Sequence, residues 1–280
     1  MRVRLRFAKL GKVRFTSHRD VARIWERALR RARLGVAMTE GFRPRPKLSF
    51  GLALSTGHES LAEYLDVELA EPLDEAGVAD LPGRLSPELP VGIDVLAAAV
   101  VEPGRDSLQE AVRSCRWRIE VLGVGPVEAR RQVEAALAAD ELVVTRQRKG
   151  RNVTDDLRPA VLGLTVVGAT AAGTELEAEL AVHPRSVRPF ELLAAVAPEA
   201  AEGRVLRTAQ LIWSEAGREE PLDAVVDPDA WRATHAETRT TGRDLRNEPA
   251  RTRGVEVEPD DDRAQSQRTP VPVGGPPDPR

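Results

Sequence analysis

A chain of 280 residues, 41% hydrophobic and 30% charged, carries enough apolar material for one or two packed domains of roughly 100–150 residues each. Its single cysteine, Cys115, excludes an internal disulfide and any cysteine-built zinc or iron–sulfur site. The formal net charge of −3 conceals a segregation: residues 1–50 hold fifteen Lys/Arg against Asp20, Glu26 and Glu40, whereas residues 51–110 hold Arg84 and Arg105 against thirteen acids.

The first residues alternate Arg2, Arg4 and Arg6 with Val3, Leu5 and Phe7, the pattern of a half-buried strand and not of a signal peptide. No run reaches the roughly 18 apolar residues that span a bilayer, so the expected compartment is the cytoplasm and no membrane partner is expected. After Gly11 the alternation resumes through Val13 and Phe15. The period then changes. Val21, Ile24, Trp25, Ala28, Leu29 and Ala32 recur at helical spacing, Ser17 with Asp20 supplies the start signal, and Gly35 the stop.

Opposite that apolar arc stand Arg19, Arg23, Arg27, Arg30 and Arg33, with Arg31 at the edge. Glu26 can neutralise at most a few of them. Five arginines on one helix face form a phosphate-type footprint, the alternative being a solvated surface. The loop Gly41–Lys47 follows, where Pro44 and Pro46 extend the backbone and splay Arg43, Arg45 and Lys47. Phe42 and Phe50 flank these cations, placed either to stack on bases or to plug the core.

Strands near 48–54 and 62–69, a helix over 74–86 and a strand over 93–101 complete a β-α-β-β-α-β order, the split βαβ or ferredoxin-like pattern. The order recurs with strands 116–122, 141–149, 160–167, 175–182 and 205–213 and helices 126–139 and 189–196. The expected fold is therefore α+β: tandem ferredoxin-like domains over 1–110 and 111–216, each with an antiparallel sheet. A mostly disordered tail is expected over 217–280, with a short helix at Val225 and Trp231, because that stretch has almost no large apolar residues. In the first domain the first and third strands are neighbours, so Tyr64, Asp66 and Glu68 fall opposite the strand arginines. Cross-strand pairing then leaves the helix and the proline loop as the binding surface.

His18 is the candidate general base, and the dipole and the cap account for Asp20. Four scattered histidines and one cysteine give no metal-ligand spacing, and no phosphate-loop, dinucleotide or nucleophile-elbow motif is present. A second basic run, Arg146, Arg148, Lys149 and Arg151, is either a phosphate contact or a charged hairpin tip.

Residues 9–34 and 40–69 resemble the radical-SAM-linked domain family, a family of unknown biochemical function. The resemblance rests on Lys12 to Phe15, Ser17-His18 with Asp20, Arg27 to Ala32, Gly41 to Lys47, and Glu63-Tyr64 with Asp66. A second block covers the basic run, Asp156, Arg158-Pro159 and Leu164. The resemblance implies association with a radical-SAM protein that itself carries the iron–sulfur cluster and S-adenosylmethionine, this chain being the accessory part with no cofactor of its own. The family's gene setting implies RNA. The expected function is thus a non-catalytic RNA-binding accessory module presenting RNA or a ribonucleoprotein to that partner, through Arg19, Arg23, Arg27, Arg30, Arg43, Arg45, Lys47 and Phe42. Two alternatives stand beside it: a metal-independent endoribonuclease using His18, resembling the CRISPR repeat-cleaving enzymes, and an adaptor docking an acidic protein.

Overall fold

The computed structural model describes residues 1–222 apart from 105, 149, 215 and 216, without the side chains of 147 and 148. The expected helix at Val225 and Trp231, and the tail from 223 on, lie outside the described residues. Among the described residues no helix is long and apolar enough to cross a membrane.

In chain order the first half holds β1 (Arg2–Lys9), α1 (His18–Arg31), β2 (Leu48–Phe50), β3 (Glu59–Glu68), α2 (Glu75–Ala79), α3 (Leu81–Leu85) and β4 (Ile93–Val101). The second holds α4 (Leu108–Ala111), β5 (Val112–Leu122), α5 (Pro126–Ala138), β6 (Val143–Arg148), β7 (Arg151–Asp156), β8 (Val161–Ala169), β9 (Gly173–Ala181), α6 (Pro189–Val196), β10 (Ala201–Ser214) and β11 (Gly217–Glu219). The result is a mixed α/β fold around one large, antiparallel-dominated sheet, ordered β4-β1-β3-β10-β5-β9-β8, with β2 on β3 and β11 on β10. Only the β3–β10 join, Leu206 opposite Glu59 and Arg207 opposite Ser60, is parallel among the described pairings.

Each half has its own apolar core. Val3, Leu5 and Phe7 of β1 meet Val21, Trp25, Ala28 and Leu29 of α1, with Leu65 and Val67 of β3. Phe7 and Trp25 pack edge to face at 4.9 Å. Cys115, Trp117 and Ile119 of β5 lie in the second core, with Ala129 and Val133 of α5 and Leu192 and Val196 of α6. At the seam Ala8, Leu10, Leu61 and Leu206 form a small apolar bridge. Polar ties surround it: Arg207 to Glu63, Arg204 to Glu59, Gln210 Nε2 to the Ala62 carbonyl at 2.6 Å, and His58 Nε2 to Glu202 at 3.1 Å.

Several expectations are corrected. Gly11–Phe15 is a turn of 3-10 helix and not a resumed strand, because Gly11 takes a φ of +67° and the chain leaves the sheet there. The helix expected over 74–86 is two short helices meeting at Asp80. Pro82 lacks the amide hydrogen that a continuous helix would need. Residues 143–148 join β7 in a hairpin apart from the main sheet. Residues 217–222 are not a disordered tail: β11 pairs with β10, and Glu220 binds Arg6 at 2.6 Å. α1 ends before Gly35. Arg33, at φ +52°, turns the chain while the Leu34 amide reaches the Leu29 carbonyl at 3.1 Å.

Candidate nucleic-acid interface

α1 begins where Ser17 accepts the Asp20 amide at 3.2 Å and donates its hydroxyl to the Asp20 carboxylate at 2.7 Å. Its buried stripe of Val21, Trp25, Ala28 and Leu29 fixes the rotation of the helix, so the opposite side faces water by geometry. Arg19, Arg23, Arg27 and Arg30 are all exposed there. Arg23 touches Asp20 at 3.4 Å. Arg31, at the edge, is engaged by the Glu88 carboxylate at 2.7 Å. Arg19, Arg27 and Arg30 have no ion pair or hydrogen bond among the described residues, leaving their charge to solvent.

The chain then forms a narrow β-arm. Ala37 donates to the Glu68 carbonyl at 2.7 Å, Lys47 to the Ala37 carbonyl at 2.8 Å and Thr39 to the Arg45 carbonyl at 2.8 Å, which stacks two antiparallel segments outside β3. The Arg45 amide also donates to Thr39 Oγ1 at 3.0 Å. At the tip Gly41 takes a φ of +114°, a conformation open to glycine, and Phe42 stands fully in solvent. Arg43, Arg45 and Lys47 are exposed on the arm, and Lys47 reaches Glu68 at 3.4 Å. Of the two roles open to the loop phenylalanines, Phe42 takes the exposed one. Phe50 packs on the first core and meets the His18 ring edge-on at 5.2 Å.

His18 is the first residue of α1 and is exposed. Besides the Phe50 contact it has no hydrogen bond or ion pair among the described residues, so no carboxylate orients it as a general base. Beneath it lies a cavity of about 10 Å³, lined by Phe7, Lys9, His18, Phe50 and Glu63, with room for a single water. Lys9 is buried with its ammonium on the Thr16 carbonyl at 3.0 Å and the Arg14 carbonyl at 3.4 Å. Burial lowers its pKa, and the Glu63 carboxylate opposes that shift. Lys9 therefore ties down the turn that carries Lys12, Arg14 and Phe15.

Phe15 is an exposed aromatic that periodicity missed. It falls in phase with the strand alternation, yet the turn leaves 61% of it in solvent, with the Arg14 guanidinium 4.5 Å from the ring centroid. The signal in the sequence is Gly11, which permits the exit from the sheet.

The second basic run serves structure in part. Arg146 binds Asp155 at 2.8 Å, and Arg185 binds both Asp155 at 3.4 Å and Glu191 at 3.0 Å, fastening the β6–β7 hairpin to α6. Asp156 accepts the Leu142 amide at 2.7 Å and the Arg158 amide at 2.9 Å, while Arg158 caps the Leu137 carbonyl at the end of α5. Arg151 is exposed, and Lys149 lies outside the described residues.

Fold and site together define a mixed α/β protein with a basic, aromatic-tipped surface on one helix and one arm. Residues 2–189 match the family described as an uncharacterized protein conserved in bacteria (DUF2344), and the chain belongs to that family. Comparison with curated proteins finds no match. Among solved structures the chain is similar to one from the crystal structure of a Cbf5-Nop10-Gar1 complex, at 10% identity and a TM-score of 0.41. The similarity covers 74% of this chain and 48% of that one, so this chain spans about half the length of its match.

Proposed function

We propose that this protein is a non-catalytic RNA-binding accessory module that presents RNA or a ribonucleoprotein to a radical-SAM partner in the cytoplasm. The observation that carries the RNA reading is the α1 face, where Arg19, Arg27 and Arg30 remain unneutralised beside an arm bearing Arg43 and Arg45. A surface of exposed guanidiniums attracts phosphates by counterion release and orients them through fixed donor forks. The radical-SAM partner rests on the resemblance of residues 9–34 and 40–69. Such a partner would bring the iron–sulfur cluster and S-adenosylmethionine, since this chain has only the buried thiol of Cys115. The strand orders β4-β1-β3-β2 and β10-β5-β9-β8 support reading each half as a ferredoxin-like unit.

A filter-binding salt titration tests the reading. Micromolar RNA binding should weaken steeply as salt rises, with a log–log slope of about −0.7 per phosphate contacted. The double variant Arg23→Glu/Arg27→Glu should bind at least tenfold more weakly. Salt-insensitive binding, or none, rejects the proposal. Cleavage of RNA in EDTA that disappears with His18→Ala would replace the accessory role by a metal-independent ribonuclease. Co-purification of a radical-SAM protein that survives nuclease treatment would support the partnership.

A further inference from the structure

We infer that the interface takes single-stranded RNA in preference to duplex, with Phe15, in the turn before α1, and Phe42, on the arm after it, as stacking platforms. The inference rests on the RNA reading above and adds to it the form of the ligand and two residues that touch bases. Phosphate contacts alone do not favour a single strand, because a duplex carries the denser charge. Exposed aromatic rings do. In an A-form duplex the bases are stacked within the helix and their faces are hidden, whereas unpaired bases can lie on a phenylalanine ring.

Both rings are held in place without being buried. The turn that presents Phe15 is pinned from three sides: the Gly11 amide on the Glu59 carboxylate at 2.7 Å, the Lys9 ammonium on the Arg14 and Thr16 carbonyls, and the Gly57 amide on the Arg14 carbonyl at 2.9 Å. The arm that presents Phe42 is closed by the Ala37–Lys47 and Thr39–Arg45 hydrogen bonds. A phenylalanine so held with ring surface in water gains from a flat apolar partner at about 25 cal/mol per Å² removed from water.

Phe15 precedes the first residue of α1 by three positions, and the arm leaves from Val36, just after the turn at Arg33 that ends the helix. The two rings thus stand before and after α1 in the chain, and the fourteen residues of that helix span about 21 Å. Between them run Arg19, Arg23, Arg27 and Arg30. A stacked strand advancing about 3.4 Å per phosphate would lay about six nucleotides along this row. Arg14, already against the Phe15 ring, adds a cation beside the first base.

Fluorescence anisotropy with the full-length protein tests this, using fluorescein-labelled dodecauridylate and a twelve-base-pair RNA duplex at one salt concentration. Wild type should bind the single strand at least tenfold more tightly. Phe15→Ala and Phe42→Ala should each weaken single-strand binding by at least about fivefold and leave duplex binding unchanged, while Phe42→Trp retains it. Both positions are solvent-exposed, so circular dichroism should show intact folds. Equal affinity for duplex and single strand, or alanine variants that bind dodecauridylate like wild type, overturns the stacking inference but leaves the arginine face standing. No binding of either RNA by wild type overturns both.

Discussion

Arg4 and Arg6 sit two positions apart on one face of β1, yet their partners come from different parts of the chain. Arg4 binds Asp66 through two hydrogen bonds of 2.7 and 2.9 Å, across the neighbouring strand as alternation implies. Arg6 stands opposite Tyr64, which offers no charge, and takes Glu220 instead. Cys115 shows a similar dependence on surroundings. Burial raises its thiol from the usual value near 9 to about 11, against the pull of Arg207. In the folded protein the thiol then stays neutral while the unfolded chain ionises, so rising pH favours unfolding between about 9 and 11. The urea midpoint should fall over that interval, and Cys115→Ala should make the fall shallower. Because the thiolate is the reactive form and the side chain is 2% exposed, a disulfide reagent at pH 8 should titrate no thiol in native protein and one in urea.

At the scale of the element, α1 carries two independent specifications. Its buried stripe serves stability, and its exposed row carries the proposed RNA contact. Trp25, fully buried against Phe7, should cost about 3–5 kcal/mol when replaced by alanine, measured by urea unfolding. Arg19→Ala, on the opposite face, should change the midpoint little while weakening RNA binding. The helix C-terminus gives a prediction of the other sign. Arg33 occupies the left-handed region that suits glycine, so Arg33→Gly should stabilise the protein by about 0.5–1 kcal/mol, after the added freedom of glycine in the unfolded chain is offset. A loss of stability on that substitution would mean the Arg33 side chain does more than bear a charge.

For the whole molecule the decisive feature is the seam. Two apolar cores share one sheet through a two-residue parallel join, reinforced by Arg207–Glu63, Arg204–Glu59 and His58–Glu202. β11 and Glu220 complete the sheet beyond residue 214 by meeting a guanidinium that is 1% exposed. Removing Glu220 leaves the buried Arg6 guanidinium without that countercharge. Glu220→Ala should therefore cost about 3 kcal/mol or more, and truncation after Ser214 at least as much, read as a drop in the urea midpoint. An unchanged midpoint would show that Arg6 finds water or another acid.

Local periodicity made much of this legible. The stripe of Val21, Trp25, Ala28 and Leu29 placed α1 and its rotation, and with it the outward direction of Arg19, Arg23, Arg27 and Arg30. Alternation placed β1 and its charged face, because backbone geometry alone sends successive side chains to opposite sides. What tertiary structure decided are matters of partnership between distant segments. Phe15 obeys the strand pattern but faces water, since Lys9 and Glu59 hold a turn where periodicity continues a strand. The run 143–148 pairs with β7 in a hairpin outside the main sheet, where Arg146 meets Asp155 and Arg185 meets Asp155 and Glu191. The basic opening fifty residues are a property of sequence. Which of their cations remain free was settled by acids far along the chain, Asp66, Glu88 and Glu220, since neutralisation depends on distance in space and not in sequence.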